Sequence, residues 1–570
     1  MPRPRFHRLL GIAGPTVFYA VLSAWLLWPL PPRAAETVID TYRLYPLAST
    51  QVFADLLLVM WIMAWECHAL VTYPARLFSA NAFHPVPHSL ALSEHFLGNL
   101  PWFAPVYAAT GNAVLALNVT MFASYVLAGL SMYWLVRAWT GSRAAGLFAG
   151  SLFAFSPWRL TAGVGHYHLL TFQYLPLVLL MLDRAGQPGR GVRPAVAAAC
   201  LLVLQTLCSY YLGYAAFAAA AAFAVVHHLG TPPGERRALP VLLALAGAAL
   251  ALLPISLPYL GRQAAGVVFF EQVRGWREFV WREGTPLALT RRYVSLATLP
   301  FALLGLAFCV RGARPARARA LGLGAAAGAG FLLSPGPGLA EWPVPPPYAI
   351  AQKLVPGLVA LRDPTRFGVI VLLGLVGLAG FGAAGLLRAA GPRWRRAAAL
   401  AVVLLGIGAA WATASRPYPL REVPTGASIP PVYHWLAANG DGGPLLELPV
   451  YERRGFDFRG MLEDARAMYF STVHWLPLLN GYSGYTPAEY PRLMEAARRL
   501  PDPAALATLV RATGLRWILL HRGRSADATV SGLAALPDVR VVGEFDGDVL
   551  YEVESDDPQR ERLRALGYVE

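Results

Sequence analysis

Apolar residues in this chain fall in long runs, not at the alternating or 3.6-residue periods of a soluble fold. The runs lie near 9–30, 112–136, 143–157, 168–183, 194–211, 212–229, 238–260, 293–310, 320–338, 367–387 and 397–413. Most come close to the roughly 20 apolar residues that cross a bilayer, so about eleven transmembrane helices are predicted. After position 414 charges become frequent and the runs shorten. There 445–450, 516–521 and 539–553 read as strands, the last a hairpin at Asp546-Gly547. Segments 487–500 and 502–513 read as helices, started by Thr486 and by Pro501-Asp502. The predicted architecture is a polytopic α-helical membrane domain over 1–413, followed by a small α/β domain over 414–570.

Charge placement orients this layout. The short connections 137–143, 184–193, 235–237, 311–319 and 388–396 are arginine-rich. With Arg3, Arg5 and Arg8 they fall on one face, which the positive-inside rule makes cytoplasmic. An odd number of spans then puts the C-terminal domain outside, as in a multi-pass protein of a bacterial inner membrane. The first apolar run ends without a small-x-small cleavage site and reads as a retained signal anchor. The outer face carries the longer loops, about 31–111, 261–292 and 339–366, rich in Trp, Tyr, Pro and His. In the first of them 56–71, broken by Glu66 and His68, reads as a helix lying along the interface, with a second over 94–109.

Only 14% of residues are charged, well below the roughly 25% of soluble domains. The net charge of +15 comes from arginines; Lys353 is the only lysine. Because they cluster between apolar runs, membrane topology accounts for them and nucleic-acid binding is excluded. Cys67, Cys200, Cys208 and Cys309 form no CxxC pair and read as buried apolar thiols.

Candidate chemistry concentrates on the outer face. Asp55, just before the apolar 56–61, is placed to take a proton from a hydroxyl near lipid; helix capping is the alternative. Asp40 is a rival acid, read as a turn residue. Ser93-Glu94-His95, before Gly98-Asn99, offers polar groups for a substrate; two ligands alone do not make a zinc site, though a larger set leaves room for a divalent metal. Asn81, His84, Pro85, Pro87 and His88 form a stiff polar loop that could bind a sugar. His166 and His168 stand at the outer end of a run. Arg362 and Arg366 open the tenth run on the side where arginine is scarce, suited to a phosphate; Arg291-Arg292 is a weaker case. The aromatic turn 477–485, preceded by His474 and Trp475, could stack on sugar or pack on the membrane domain.

These residues carry a resemblance. Asp55 with Leu57-Leu58 and Trp61, Ala64-Trp65, His68-Ala69-Leu70, Leu77-Phe78, Asn81, Phe83, Pro85, Leu90, Ser93-Glu94-His95 and Gly98 lead it. Ala154-Phe155-Ser156-Pro157, Arg362, Pro364, Arg366-Phe367 and Asn480-Gly481-Tyr482-Ser483-Gly484-Tyr485 continue it. The pattern resembles the GT-C superfamily of membrane glycosyltransferases, in the bacterial group related to protein mannosyltransferases, aminoarabinose transferases and YfhO-type proteins. Where that group usually shows Gly-Asp-Pro, this chain has Ala54-Asp55-Leu56. The resemblance implies a sugar donor on a polyprenyl phosphate and a glycan, lipid or protein acceptor. It also implies catalysis by Asp55 and substrate binding by Glu94, His95, His166, Arg362 and Arg366. The competing class is a non-catalytic lipid or glycan transporter, or an envelope assembly scaffold, built on the same fold.

Overall fold

The computed structural model describes residues 4–40, 46–264, 276–338, 344–414, 416–451 and 458–554. Arg3, Thr41 and Tyr42, and the loop segments 265–275 and 339–343, lie outside the described residues. The N-terminal part runs through α1 (Pro4–Leu26), β1 (Thr37–Ile39), α2 (Pro46–Thr72), α3 (Leu100–Thr110), α4 (Ala113–Thr140) and α5 (Arg143–Ala154). A single turn α6 (Pro157–Leu160) precedes α7 (Leu175–Ala185), α8 (Arg193–Cys208), α9 (Tyr210–Leu229) and α10 (Leu239–Ala264). Then come α11 (Trp276–Glu283), α12 (Pro286–Tyr293), α13 (Thr298–Val310), α14 (Arg314–Leu333), α15 (Pro347–Leu354), α16 (Gly368–Ala389) and α17 (Arg395–Thr413).

The chain is a multi-pass membrane protein, but the expected count of about eleven spans is too high. Among the described residues six helices are long and apolar enough to cross a membrane: Ser49–Thr72, Ala113–Thr140, Tyr210–Leu229, Leu239–Arg262, Pro364–Ala389 and Arg395–Thr413. A seventh exists if α12 and α13, bent by 109° at their junction, form one broken span. Several of the other apolar runs break early. At 1.5 Å per residue α5 and α7 are about 18 and 17 Å long, short of the ~30 Å hydrocarbon core. Between them 162–170 winds through 3-10 turns. In α14, Arg314, Arg317 and Arg319 occupy the first two turns. The interfacial helix expected over 56–71 lies inside Ser49–Thr72, which packs against α3 and α4 and, on its other side, against a helix of the C-terminal unit.

Pro364–Ala389 is the centre of the bundle, 89% buried, whereas Leu239–Arg262 and Arg395–Thr413 are 17% buried and face outward. Small residues permit the central contacts: a Cβ on Gly382 would collide with the Phe301 carbonyl, and one on Gly305 with that of Leu378. Such small-residue seams let membrane helices approach backbone to backbone.

The arginine-rich connections gather at one end. There Asp183 accepts from Trp139 Nε1 (2.9 Å) and pairs with His227 (3.1 Å) and Arg319 (3.1 Å), tying α4, α7, α9 and α14 together. The C-terminal unit is at the other end. It comprises β2 (Leu420–Glu422), α18 (Pro431–Asn439), β3 (Leu445–Leu448), α19 (Phe458–Ser471), α20 (Tyr490–Arg498), α21 (Pro503–Thr513), β4 (Trp517–His521), α22 (Asp527–Ala534), β5 (Val539–Phe545) and β6 (Asp548–Val553). Its sheet has the order β3-β4-β6-β5, parallel at β3–β4 and antiparallel elsewhere. Asp546 and Gly547 both have positive φ, as the tight β5–β6 hairpin needs. Two short strands absent from the sequence reading, β1 and β2, pair antiparallel and stitch the first loop to the exit of α17.

Candidate functional site

The first loop and the C-terminal unit grip each other beside this end of the bundle. Asn81 is the clasp: its Nδ2 donates to Ser471 Oγ and the Leu476 carbonyl (3.1 Å each), and its Oδ1 accepts from Trp61 Nε1 (3.1 Å). Backbone bonds join Phe83 to Asn480, His84 to Leu478, and Leu478 to Asn81. His84 Nε2 contacts the Thr513 carbonyl at 3.0 Å. The polar loop Asn81–His84 is therefore spent on docking, not on a sugar. Trp475 stacks on His68 (4.4 Å) and packs on Trp65, while His474 is buried beside Tyr433. Asp40 is also committed elsewhere, accepting from Ser49 Oγ (2.7 Å) beside Arg421 (3.8 Å).

Above α9 and α10 this assembly encloses a cavity of about 800 Å³. Asp55, Glu94, His166, Arg362 and Arg366 all line it, although they come from four separate stretches of chain. Asp55 sits nine residues inside α2, so it is not the N-cap that its sequence position allowed. Its Oδ1 accepts from the hydroxyl of Tyr482 at 2.5 Å. Tyr482 reaches in from the 480–485 turn, which Asn480 fixes by bonding the backbone of Glu447 on both sides (2.8 and 3.1 Å). Sequence spacing could not reveal this partnership, because 427 residues separate the two groups.

The arginines stand opposite in a cage of aromatic rings. The backbone N–H of Arg362 donates to the Tyr211 hydroxyl oxygen (2.8 Å), and its guanidinium packs over Tyr485 (5.7 Å). Arg366 lies over Tyr211 at 4.1 Å and pairs with Asp363 at 3.4 Å. Burial alone would raise the Asp363 pKa, but Arg366, Arg292 and the Thr365 hydrogen bonds outweigh it and hold the carboxyl below its ordinary value. Arg292 supports this end through Thr365 (3.4 Å) and does not line the cavity; Arg291 lies on the surface.

Glu94 accepts from Ser209 Oγ (2.9 Å) and the Tyr211 N–H (3.2 Å). Burial pushes its pKa up, against those hydrogen bonds and the pull of Arg366. Burial, and then the charges of Arg366, His166 and Arg362, hold His168 well below the usual imidazole value. His168 is thus neutral, and its 3.9 Å approach to Glu94 is a polar contact, not an ion pair. His95 does not join the lining. Its ring is fully buried against Tyr210 and Tyr259 (5.0 and 5.9 Å), and burial lowers its pKa to about 4. The resemblance implied substrate binding by His95, but its side chain points away from that of Glu94 and shapes the wall from behind. Just beyond it, a Cβ on Gly98 would stand 2.5 Å from the Cys208 nitrogen, which explains the glycine where this loop meets α8.

Below the polar groups the cavity becomes apolar, with Phe217, Ala249, Leu252 and Leu253 between α9 and α10. Among the described residues no group of three or more His, Cys, Asp or Glu side chains could hold a metal ion. An acid and two guanidiniums over an apolar slot suit an amphiphile with an anionic head.

A solved structure carries a similar architecture. The oligosaccharyltransferase AglB from Archaeoglobus fulgidus, solved with an inhibitory peptide and a dolichol-phosphate, matches with a TM-score of 0.50 at 12% identity, over 92% of this chain and 71% of that one. The chain shares the fold of that protein. ArnT from Cupriavidus metallidurans, solved with undecaprenyl phosphate, covers 95% of this chain and 98% of that one at 14% identity; its TM-score of 0.38 is too low to argue from. No protein-family description and no curated protein sequence matches the chain.

Proposed function

We propose that this protein is a GT-C-type glycosyltransferase that moves a sugar from a polyprenyl-phosphate donor to a cell-envelope acceptor on the extracytoplasmic side. What supports the reading is one observation: Asp55 and the guanidiniums of Arg362 and Arg366 line the same cavity, above an apolar slot. In this scheme the donor's first isoprene units occupy the slot and its phosphate lies between the two arginines. Asp55 takes the proton of an acceptor hydroxyl, whose oxygen attacks the anomeric carbon. The bond from that carbon to the phosphate oxygen breaks, and the arginines stabilise the charge that develops there. A single displacement of this kind inverts the anomeric centre. Tyr482 holds Asp55 Oδ1 and leaves Oδ2 for the acceptor, with Glu94 and His166 positioning the rest of it. The arginine-rich end of the bundle is then cytoplasmic, and the C-terminal unit covers the outer end.

The test is the full-length Asp55→Asn protein, supplied with a polyprenyl-phosphate sugar in membranes. Transfer is expected to fall by about three orders of magnitude or more, the upper part of what general-base catalysis contributes. Binding of the polyprenyl phosphate should persist, and should fail in the Arg362→Gln/Arg366→Gln protein. Wild-type transfer by Asp55→Asn, or a wild-type phenotype without any transfer, would refute the enzyme reading.

A further inference from the structure

A second cavity opens at the opposite, arginine-rich end. It holds about 530 Å³, a size ordinary for a small-molecule site. It lies between the last turns of α9, the first turns of α10 and the start of α14. The two cavities share one seam. The first ends at Phe217 and Ala249, and the second begins one helical turn further on, at Ala221 and Leu245. Along this seam α9 packs on α14 and α8, and α10 packs on α8, so α9 and α10 leave a slot between them.

The chemistry of the second cavity is divided. At the rim stand Arg236, Arg314 and Arg319, against Asp183 and Glu235. Asp183 is already saturated by Trp139, His227 and Arg319, so it offers nothing to a cation. Arg236 spends one N–H on the His228 carbonyl (2.6 Å), and Arg314 is exposed at the start of α14. The positive ends of α10 and α14 point to the same rim and add to its attraction for an anion. The remaining wall is apolar and open to the outside: Val225 is 57% exposed and Leu242 60%, on helices that face lipid. A soluble anion would use the rim and waste the wall; an uncharged lipid would do the reverse.

We propose that this cavity binds an anionic phospholipid of the surrounding bilayer, its headgroup phosphate between Arg236 and Arg314 and an acyl chain along α10. The lipid fills the half of the seam that the first cavity does not reach, and braces α9 against α10. Basic pockets between helices at the cytoplasmic face suit such headgroups. The inference is independent of the transfer reaction, since it uses none of the groups in the first cavity.

The experiment is thermal melting of the delipidated full-length protein in detergent, titrated with short-chain phosphatidylglycerol, phosphatidylcholine or inorganic phosphate. Phosphatidylglycerol is expected to raise the melting temperature at concentrations where the other two do not. The Arg236→Gln/Arg314→Gln protein leaves the Asp183 cluster intact and should need about tenfold more of it or beyond, as loss of two headgroup contacts implies. Leu242→Trp, which fills the wall without touching charge, should weaken the response as well. Equal responses to the two lipids, or an unaltered response in both variants, would overturn the proposal. So would a shift reproduced by phosphate alone, which would make the site one for a soluble anion.

Discussion

The C-terminal unit contains an ionic contact whose pH dependence can be worked out. His521, at the end of β4, places Nδ1 2.9 Å from Asp548 and Nε2 3.1 Å from Glu447. Burial opposes the imidazolium, but the two carboxylates win, and the pKa rises to about 9. An unfolded histidine titrates near 6.5. The folded state therefore binds the proton more tightly, and the contact stabilises fully below about pH 6.5. That stabilisation is lost as pH rises through about 9. A shift of this size corresponds to about 3 kcal/mol, at roughly 1.4 kcal/mol per unit. For a unit of this size it equals about 6–12 °C in melting temperature. The effect reaches the site, because Glu447 is also bonded through its backbone to Asn480, which sets the turn carrying Tyr482. The assay is hydrogen exchange of peptides from 445–451 and 517–521 in the full-length protein between pH 6 and 10, after correction for intrinsic exchange. Wild type should lose about 3 kcal/mol of protection across that range. The His521→Gln protein should start lower and change little, meeting wild type near pH 10. Parallel profiles, or a wild type that gains protection as pH rises, would refute the reasoning.

Two further outcomes follow from single contacts. Tyr482→Phe keeps the ring and removes the 2.5 Å bond to Asp55; hydrogen bonds to charged groups contribute about 1.5–3 kcal/mol, so turnover should drop about 10- to 100-fold with little change in donor binding. Equal turnover of the two proteins would show that Asp55 needs no such partner. Asp183→Asn leaves the largely buried Arg319 without its counter-charge and His227 without its carboxylate partner and should cost about 3 kcal/mol or more, read as a lower melting temperature; an unchanged melt would count against the cluster as the tie of that bundle end.

Sequence reading reached the lining of the cavity better than its geometry. Asp55, Glu94, His166, Arg362 and Arg366 were legible because each is a polar group beside an apolar run, where a polar group needs a reason. His95 does not reach the lining, because its ring packs on Tyr210 and Tyr259 behind the wall that Glu94 faces. The capping alternative for Asp55 fails on local grounds: α2 begins at Pro46, and Val52-Phe53-Ala54 already belong to its apolar course. The Tyr482–Asp55 bond and the β1–β2 pair were illegible, since each joins positions hundreds of residues apart and no local pattern marks the partner.

Span counting failed for a different physical cause. A hydropathy window measures composition, and a helix buried inside a bundle has the composition of one facing lipid. It does not register where hydrogen bonding stops, as it does after Ala154 at Ser156-Pro157 and again after Cys208 at Ser209. Among the described residues the eleven runs therefore became six or seven long helices, and counting crossings no longer says which side holds the C-terminus. What replaces it is positional. Arg319 and His227 meet on Asp183 at one end of α14 and α9, while Tyr211, at the other end of α9, holds the backbone of Arg362 and lies under Arg366. A helix that has a basic rim at one end and the acid-lined cavity at the other assigns opposite faces to the two without any count of crossings. If the basic rim is cytoplasmic, the cavity is not.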